Sequence, residues 1–240
     1  MVTKYTSLPG PIGIFDSGYG GLTVFDKIRE RMPAYDYIYL GDNARAPYGP
    51  RSFDVVYRFT RQAVMRLFAE GCQLVILACN TASAKALRTI QQRDLPVWDE
   101  TRRVLGVIRP TVELMDRISR SKHVGVVGTA GTIASGSYQI EIAKMFPHIQ
   151  VTSEACPMWV PLVENNEFDS PGADYFVRKY LDELFRKDPL IDTLILGCTH
   201  YPLLIEKIRR YVPTGVTLLP QGEYVACSLE DYLHRHPEMD

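Results

Sequence analysis

Two cysteines stand in matching polar settings, and their type and spacing suit chemistry better than any other pair in the sequence. Cys79 lies in the run Leu74-Val-Ile-Leu-Ala-Cys79-Asn-Thr-Ala-Ser83, and Cys198 lies in Thr193-Leu-Ile-Leu-Gly-Cys198-Thr-His-Tyr-Pro202. Each run predicts a buried strand, a small residue, the cysteine and then polar residues that open a helix. Because backbone N–H groups at a helix start favour a thiolate, we expect both thiol pKa values to be lowered toward neutrality.

Two matched thiols suit the inversion of a tetrahedral carbon. Inversion needs one group that removes a proton from one face and another that delivers a proton to the opposite face. A thiol titrates close enough to neutrality to act as either base or acid. A lone cysteine at a strand end is usually an inert core residue, but the matched settings of Cys79 and Cys198 favour opposed bases of a racemase acting on an acidic amino acid.

Polar residues near the two cysteines could assist them. Asp16 could orient one thiol or receive its proton, and His200 could do the same for the other. The structural alternatives are that Asp16 caps the helix after Gly20-Gly21 and that His200 is a hydrogen-bonded cleft residue. Neutral hydrogen-bond donors suited to binding carboxylates are expected from Ser17, Asn80, Thr81, Thr129, Thr132 and Thr199. The turn Pro47-Tyr48-Gly49 is expected to add a backbone N–H and a phenol at the mouth of the cleft.

Short apolar runs alternate with longer segments of helical period, which predicts parallel sheets covered by helices on both faces. The predicted strands are Ile12–Phe15, Tyr37–Leu40, Leu74–Ala78, Val104–Ile108, Val124–Val127, Gln150–Ser153, Thr193–Leu196 and Val216–Leu219. The predicted helices are Gly21–Arg31, Arg51–Glu70, Ser83–Arg93, Pro110–Ile118, Gly136–Phe146, Ala173–Arg186 and Leu203–Tyr211.

The strand motifs form a long internal repeat. Ile12-Gly-Ile-Phe-Asp16-Ser-Gly18 matches Val124-Gly-Val-Val-Gly128-Thr-Ala130, and the paired cysteine motifs follow 63 residues after Asp16 and 70 residues after Gly128. The repeat predicts an α/β fold of two pseudo-symmetric parallel-sheet domains that face each other across a cleft. We place the first domain at residues 1–103 plus 209–240 and the second at 104–208. Ligands bind at the carboxyl ends of parallel strands, so the motifs should share one site.

Composition narrows the function classes. The 240 residues are 46% hydrophobic and 23% charged with a net charge of -1, which gives no basis for nucleic acid or an anionic membrane as a partner. The longest apolar runs, near six residues as in Leu74–Cys79, are too short to span a bilayer. Residues Met1–Pro11 lack the apolar core of a signal peptide, so we expect a cytoplasmic protein with reduced cysteines.

Cofactor chemistry finds little support in the sequence. The five cysteines include no Cys-x-x-Cys pair of the kind that binds structural zinc, so no metal site is expected. Lys85, in the helix after Cys79, has no evident phosphate-binding loop near it and is interpreted as a surface lysine. Pyridoxal phosphate is therefore disfavoured, and no cofactor is expected.

Six strings in the sequence resemble glutamate racemases of the aspartate/glutamate racemase superfamily. The Cys-Asn-Thr and Cys-Thr-His strings are typical of the whole superfamily, whereas Pro-Tyr-Gly and Val-Pro-Leu-Val-Glu are typical of its glutamate enzymes. The matching strings run in family order over residues 12 to about 205. They are Asp16-Ser-Gly-Tyr-Gly-Gly-Leu22, Gly41-Asp-Asn-Ala-Arg-Ala-Pro-Tyr-Gly49, Ala78-Cys-Asn-Thr-Ala-Ser83, Gly106-Val-Ile-Arg-Pro110, Cys156-Pro-Met-Trp-Val-Pro-Leu-Val-Glu164 and Leu196-Gly-Cys-Thr-His-Tyr-Pro202.

The resemblance implies interconversion of L- and D-glutamate for peptidoglycan synthesis, without pyridoxal phosphate or metal. It implies that Cys79 deprotonates D-glutamate and that Cys198 deprotonates L-glutamate. Glu164 enters only through the resemblance, because an isolated glutamate otherwise reads as a surface charge. The implied assisting residues are Asp16, Glu164 and His200, and the implied substrate-lining residues are Ser17, Tyr48, Gly49, Asn80, Thr81, Thr199 and His200. We also expect a homodimer.

The C-terminal region departs from the resemblance. Where the family commonly carries an acidic residue followed by a small one near the last strand, this sequence reads Pro220-Gln-Gly-Glu-Tyr224. The resemblance implies that a helix from the C-terminal region would close the first domain and that its loss would affect stability.

Two other functions fit parts of the pattern. An aspartate racemase, a hydantoin racemase or a relative of maleate isomerase would share the paired cysteines but differ in pocket length. A non-catalytic amino-acid-binding protein on the same scaffold would be signalled by the loss of one thiol, and both thiols are present here.

Overall fold

A computed structural model describes residues 10–239. We predicted that residues 1–11 do not form a signal peptide, and residues 1–9 of that segment lie outside the described residues. No helix in the described part of the chain is long and apolar enough to cross a membrane.

Two four-stranded parallel sheets form the centre of the molecule. The first sheet has the order β2-β1-β3-β4 and the second has the order β6-β5-β7-β8, so the two halves share one topology. This arrangement confirms the predicted fold class and the internal repeat, because β1 occupies the same place as β5 and β3 the same place as β7. The strands are β1 Ile12–Asp16, β2 Tyr37–Gly41, β3 Leu74–Leu77, β4 Arg103–Gly106, β5 His123–Gly128, β6 Gln150–Ala155, β7 Thr193–Gly197 and β8 Thr217–Leu219.

Helices connect the strands and cover both faces of each sheet. They are α1 Leu22–Arg31, α2 Phe53–Ala69, α3 Asn80–Lys85, α4 Leu87–Thr89, α5 Leu95–Trp98, α6 Ile108–Val112, α7 Met115–Ile118, α8 Ala130–Ala134, α9 Ser137–Met145, α10 Trp159–Glu164, α11 Pro171–Lys187, α12 Ile205–Tyr211 and α13 Gly222–Arg235. Short 3₁₀ turns cover Asn43–Arg45 and Tyr201–Leu204, and a π-helical turn covers Ile90–Asp94.

Alternation along the strands divides the core into two layers on each sheet. In the first sheet, Phe15 and Val75 face the layer of α2, whereas Ile14 and Ile76 face the layer that α1 and α13 cover. The second sheet repeats the pattern, with α11 in the layer on one face and α9 in the layer on the other. We call each sheet with its helices a lobe. Burial on both faces explains why the strands read as continuous apolar runs.

A C-terminal helix that is not among the predicted helices, α13, packs against α1 and closes the first lobe. The two long helices α2 and α11 begin where the sequence offers capping residues. Ser52 and Ser170 each accept an N–H bond from the residue three positions later, and Pro171 occupies the first turn of α11.

The chain passes between the two sheets at positions that differ from the predicted domain boundaries after residues 103 and 208. Strand β4 belongs to the first sheet, and β8 pairs with β7 in the second. The chain therefore crosses between lobes first at residues 107–112 and again at residues 220–221. The predicted strand Val104–Ile108 was too long for the same reason, since the apolar run continues through the first crossing into α6.

Candidate active site

The four predicted motifs meet where the carboxyl ends of both sheets face each other. Cys79 lies just past the end of β3, with Ala78 between them, and Cys198 follows β7 at the aligned position of the second lobe. Thr199 of the second lobe donates a hydrogen bond to Asp16 of the first across 3.3 Å. Thr23 also donates to the Thr199 carbonyl at 2.9 Å, so the two lobes are in direct contact beside the cysteines.

Cys79 lies in a pocket of hydrogen-bond donors from its own lobe. Its sulfur is 3.5 Å from the Ser17 hydroxyl oxygen. Backbone N–H groups of Ser17 and Ala82 also point at the sulfur, and both lower its pKa. Burial outweighs them, and with the nearby Asp16 carboxylate it raises the pKa of the Cys79 thiol to about 11.

Cys198 is paired with His200 in the second lobe. The sulfur lies 3.8 Å from His200 Nδ1, and the backbone N–H of His200 also faces it. On the far side of the ring, His200 Nε2 lies 2.5 Å from a carboxylate oxygen of Glu164. Glu164, the residue implied only by the resemblance, is thus joined to Cys198 through His200. Burial raises the pKa of the Cys198 thiol further than that of Cys79.

The expected lowering of both thiol pKa values is wrong for this structure. Cys79 and Cys198 are only 5% and 6% exposed. The helical segments behind them are a six-residue α3 and a 3₁₀ turn of four residues, which offer few aligned peptide dipoles. Desolvation of the thiolate therefore dominates the pKa of each sulfur.

Asp16 has the capping role that the sequence analysis gave as its structural alternative. Its carboxylate accepts N–H bonds from Gly18, at 3.0 Å, and from Gly21, which is the structural role of a turn cap. It also reaches Thr199 of the other lobe. The side chain is fully buried, and burial raises its pKa, although the His200 side chain opposes this shift.

Three threonines close the site on another side. Thr81 of the first lobe lies 2.9 Å from Thr129 and 3.2 Å from Thr132 of the second, measured between hydroxyl oxygens. Gly49 accepts an N–H bond from Gly131 at 2.9 Å. Three of the predicted carboxylate-binding hydroxyls are therefore brought together across the two lobes.

The predicted place of Tyr48 at the cleft mouth is wrong. Its ring is 1% exposed and packs between Phe15 and Phe59. Its hydroxyl donates to Asp42 at 2.5 Å, which keeps the phenol in the first-lobe core. Pro47 is exposed and follows a cis peptide bond from Ala46. From this turn, Gly49 is the residue that contacts the threonine cluster.

Asn80 follows Cys79, but both ends of its side chain are engaged away from the sulfur. Its amide donates to Gln221 at 2.7 Å, and its carbonyl accepts from Tyr138 at 2.6 Å. Sequence reasoning missed Gln221 and Tyr138. The departure at 220–224 was the one signal that pointed to Gln221.

Gly20 was also missed as a site residue. A Cβ atom at Gly20 would lie 2.4 Å from His200 Nδ1 and 2.6 Å from the Thr199 hydroxyl. A side chain here would separate the loop after β1 from the loop after β7, so the close approach requires glycine.

A groove elsewhere on the molecule contains neither thiol. It has a volume of about 680 Å³ and is lined by residues of α3, α6, α9 and α13. Lys85 lies in this groove, half-buried, and donates to the Arg51 carbonyl at 2.7 Å, so it is not the free surface lysine that the sequence indicated. Within residues 10–239, no group of three or more His, Cys, Asp and Glu side chains is arranged to hold a metal ion.

The chain is similar in sequence to known racemases. The profile of the Asp/Glu/Hydantoin racemase family matches residues 12–223. A glutamate racemase of Roseobacter denitrificans is 44% identical, covering 95% of this chain and 87% of the relative. One from Shouchella clausii is 43% identical, covering 94% of this chain and 79% of the relative.

Solved structures agree in fold. A glutamate racemase isoform of Bacillus anthracis superimposes with a TM-score of 0.88 at 36% identity, covering 96% of this chain and 84% of the relative. The Francisella tularensis glutamate racemase in complex with D-glutamate has a TM-score of 0.85 at 32% identity, covering 97% of this chain and 84% of the relative. With the family profile extending over nearly all of both lobes and their paired cysteines, the chain belongs to the Asp/Glu/Hydantoin racemase family.

Proposed function

We propose that the protein is a glutamate racemase that interconverts L- and D-glutamate by proton transfer at the α-carbon, with Cys79 and Cys198 as the two bases and no cofactor. The observation that carries this proposal is the placement of two buried cysteines in equivalent positions of two facing lobes. The substrate is a small molecule. Glutamate is favoured because the relatives compared above are glutamate racemases and one was solved with D-glutamate.

Proton transfer in either direction uses both sulfurs. With D-glutamate, the Cys79 thiolate takes the α-proton, and the Cys198 thiol gives its proton to the opposite face of the carbanion. One C–H bond breaks and another forms, and the charge moves from Cys79 to Cys198. L-Glutamate reverses these roles. Between turnovers of the same enantiomer, the enzyme returns to its starting state when a proton passes from one sulfur to the other.

The assisting residues account for how a buried thiol becomes a thiolate. Asp16 is near enough to Cys79 for its charge to raise the thiol pKa, and its own pKa is raised, so it can receive the thiol proton. His200 Nδ1 lies 3.8 Å from the Cys198 sulfur and can receive its proton, and Glu164 holds the far side of the ring. In this proposal Asp16 assists one face, and the His200–Glu164 pair assists the other.

Hydroxyl groups on both walls suit a dicarboxylate substrate. Ser17 lies beside Cys79, and Thr199 lies beside Cys198, while the cluster of Thr81, Thr129 and Thr132 bridges the lobes. Hydroxyl donors bind carboxylates by short, charge-assisted hydrogen bonds. Gly49 adds a close backbone approach to the threonine cluster.

Solvent exchange tests the reaction itself. The protein is incubated in heavy water with D- or L-glutamate, while NMR follows deuterium at the α-carbon and polarimetry follows inversion. We expect deuterium incorporation with racemisation of both enantiomers. Parallel reactions with D- and L-aspartate separate a glutamate enzyme from an aspartate enzyme. Absence of exchange with all four amino acids would refute a glutamate or aspartate racemase function.

Substitution of each cysteine tests the two-base mechanism. Cys79→Ser and Cys198→Ser should each abolish racemisation, because a serine hydroxyl is far too weak an acid to replace a thiol. Each variant can keep partial α-proton exchange of the one enantiomer that its remaining thiol deprotonates. Cys227→Ser, at an exposed position on α13, is the matched control and should keep full activity. Full racemisation by both active-site variants would exclude the mechanism.

The cellular setting follows from the proposed reaction. D-Glutamate made in the cytoplasm would supply peptidoglycan synthesis and so support cell-wall biogenesis and cell shape. Restoration of growth in a bacterial strain that requires D-glutamate tests this role, with Cys79→Ser as the inactive control. The expected homodimer stays a prediction, and light scattering of the purified protein measures it directly.

A further inference from the structure

Gln221 occupies the second place at which the chain crosses between lobes. It follows β8 of the second sheet and directly precedes α13, which packs on the first lobe. Its side chain is 3% exposed. A long polar side chain is rarely buried so completely unless both ends of its amide are hydrogen-bonded.

The Gln221 amide joins this second crossing to the first. Its nitrogen donates to the Thr111 hydroxyl at 2.8 Å and lies 3.2 Å from the Val107 carbonyl. Val107 directly precedes α6, and Thr111 lies within it, where the chain first leaves the first sheet. Any rotation of one lobe against the other must bend these two crossings, so Gln221 lies at the hinge.

The same amide also reaches the residue after Cys79. The Gln221 oxygen accepts from Asn80 at 2.7 Å, and the Gln221 nitrogen lies 2.8 Å from the Tyr138 hydroxyl. Tyr138, on α9 of the second lobe, in turn donates to the Asn80 carbonyl at 2.6 Å. Three side chains from distant parts of the sequence thus form a closed ring.

All members of this ring are buried, at 2% exposure for Asn80 and 1% for Tyr138. A buried amide that lost these partners would have no water to replace them, and this costs free energy. Gln221 and Tyr138 therefore hold the Asn80 side chain in one orientation. Asn80 begins α3, and its backbone is continuous with Cys79. Within residues 10–239, no chain of side-chain hydrogen bonds runs from Gln221 to a neighbour of Cys198, and Tyr138 meets that loop only by packing its ring against Gly197.

We propose that Gln221 is a positioning residue that fixes Asn80, and through it Cys79, to the hinge between the lobes. The proposal rests on the proposed racemase function and adds a residue to it. Removal of the ring should slow proton transfer by Cys79 more than proton transfer by Cys198. The effect should fall on kcat and on kcat/KM alike, because a misplaced base weakens the transition state and not the binding of the substrate.

Deuterated substrates separate the two sulfurs. In Gln221→Met, which keeps the length of the side chain but loses its polar atoms, we expect kcat to fall about tenfold with little change in KM. The deuterium isotope effect on kcat/KM should rise with D-[2-²H]glutamate, whose deuteron Cys79 removes, and fall with L-[2-²H]glutamate. Tyr138→Phe, which breaks the same ring at another point, should shift both isotope effects in the same directions.

Thr60→Val is the matched control. Thr60 is fully buried in α2 and bonds only within its helix in the described contacts, so its loss should lower stability and leave both isotope effects at wild-type values. Equal isotope effects in wild type and Gln221→Met, or the same shift in Thr60→Val, would overturn the proposal.

Thiol alkylation tests the positioning role without the reaction. Mass spectrometry follows the rate at which iodoacetamide modifies each cysteine, with fragment ions separating Cys79 from Cys72. Gln221→Met should change the Cys79 rate severalfold and leave the Cys198 rate unchanged, relative to wild type and Thr60→Val. An unchanged Cys79 rate would count against the positioning role. A wild-type protein that fails to racemise glutamate would instead count against the proposed function.

Discussion

At the scale of single residues, Gly20 brings the loop after β1 close against the loop after β7 of the other lobe. The atoms that a Cβ would meet belong to His200 and Thr199, which the proposed mechanism uses. Gly20→Ala should therefore displace the His200 ring and lower kcat/KM by at least about tenfold. Steady-state kinetics measure this, with Gly172→Ala as the control. Gly172 has room for a Cβ, whose nearest neighbour is 3.5 Å away, so wild-type activity is expected there. An active Gly20→Ala enzyme would contradict the argument.

The ionisation of Cys79 leads to a prediction about stability. Burial raises the pKa of this thiol from 9.0 to about 11, so the folded protein holds the proton more tightly than the unfolded chain. The stability that this thiol contributes is fully present below pH 9 and is lost as the pH rises through 11. Thermal unfolding from pH 8 to 11 should thus show a steeper loss of stability in wild type than in Cys79→Ser. Parallel curves would show that the thiol is not desolvated. The exposed Cys227 makes Cys227→Ser the control, which should follow wild type.

Residue chemistry was only partly predictable from the sequence. Cys79 and Cys198 stood out because their settings repeat, and the repeat predicted that they would meet. The direction of their pKa shift was wrong, since the depth of burial depends on how closely the second lobe covers the first. Gln221 and Tyr138 were missed because their contacts join segments far apart in the chain, and no local pattern records such contacts.

At the scale of elements, α13 returns from the second lobe to complete the first. Leu229 is 3% exposed in the layer that α13 shares with α1. Leu229→Ala should lower the free energy of unfolding by about 2–5 kcal/mol, as expected for removing a buried leucine side chain. Cys227→Ala, an exposed position on the same helix, should change it by less than about 0.5 kcal/mol. Urea unfolding measures both, and equal midpoints would show that α13 does not stabilise the first lobe.

Strands were easier to predict than helices in this chain. Parallel strands covered on both faces read as apolar runs, and all eight predicted strands correspond to strands of the structure. The helix α10 escaped notice because it is six residues long and contains Pro161. The segment predicted as Ser83–Arg93 begins earlier, at Asn80, and changes from α to π geometry, which a regular period does not reveal.

At the scale of the whole molecule, the two lobes enclose the thiols almost completely. Cys79 and Cys198 are 5% and 6% exposed, and hydrogen bonds from Thr199 to Asp16 and from Thr81 to Thr129 connect the walls. A dicarboxylate cannot pass between walls that are in hydrogen-bonding contact. We therefore predict that the lobes separate to admit a dicarboxylate by bending at the crossings 107–112 and 220–221, and that binding favours the closed form.

Small-angle X-ray scattering tests this motion in solution. We expect the radius of gyration to fall when D-glutamate is added, because the ligand bridges hydroxyl groups of both lobes and stabilises the closed arrangement. D-Alanine is the control, because it lacks the second carboxylate and should leave the profile unchanged. Identical profiles with and without D-glutamate would indicate that substrate enters without separation of the lobes.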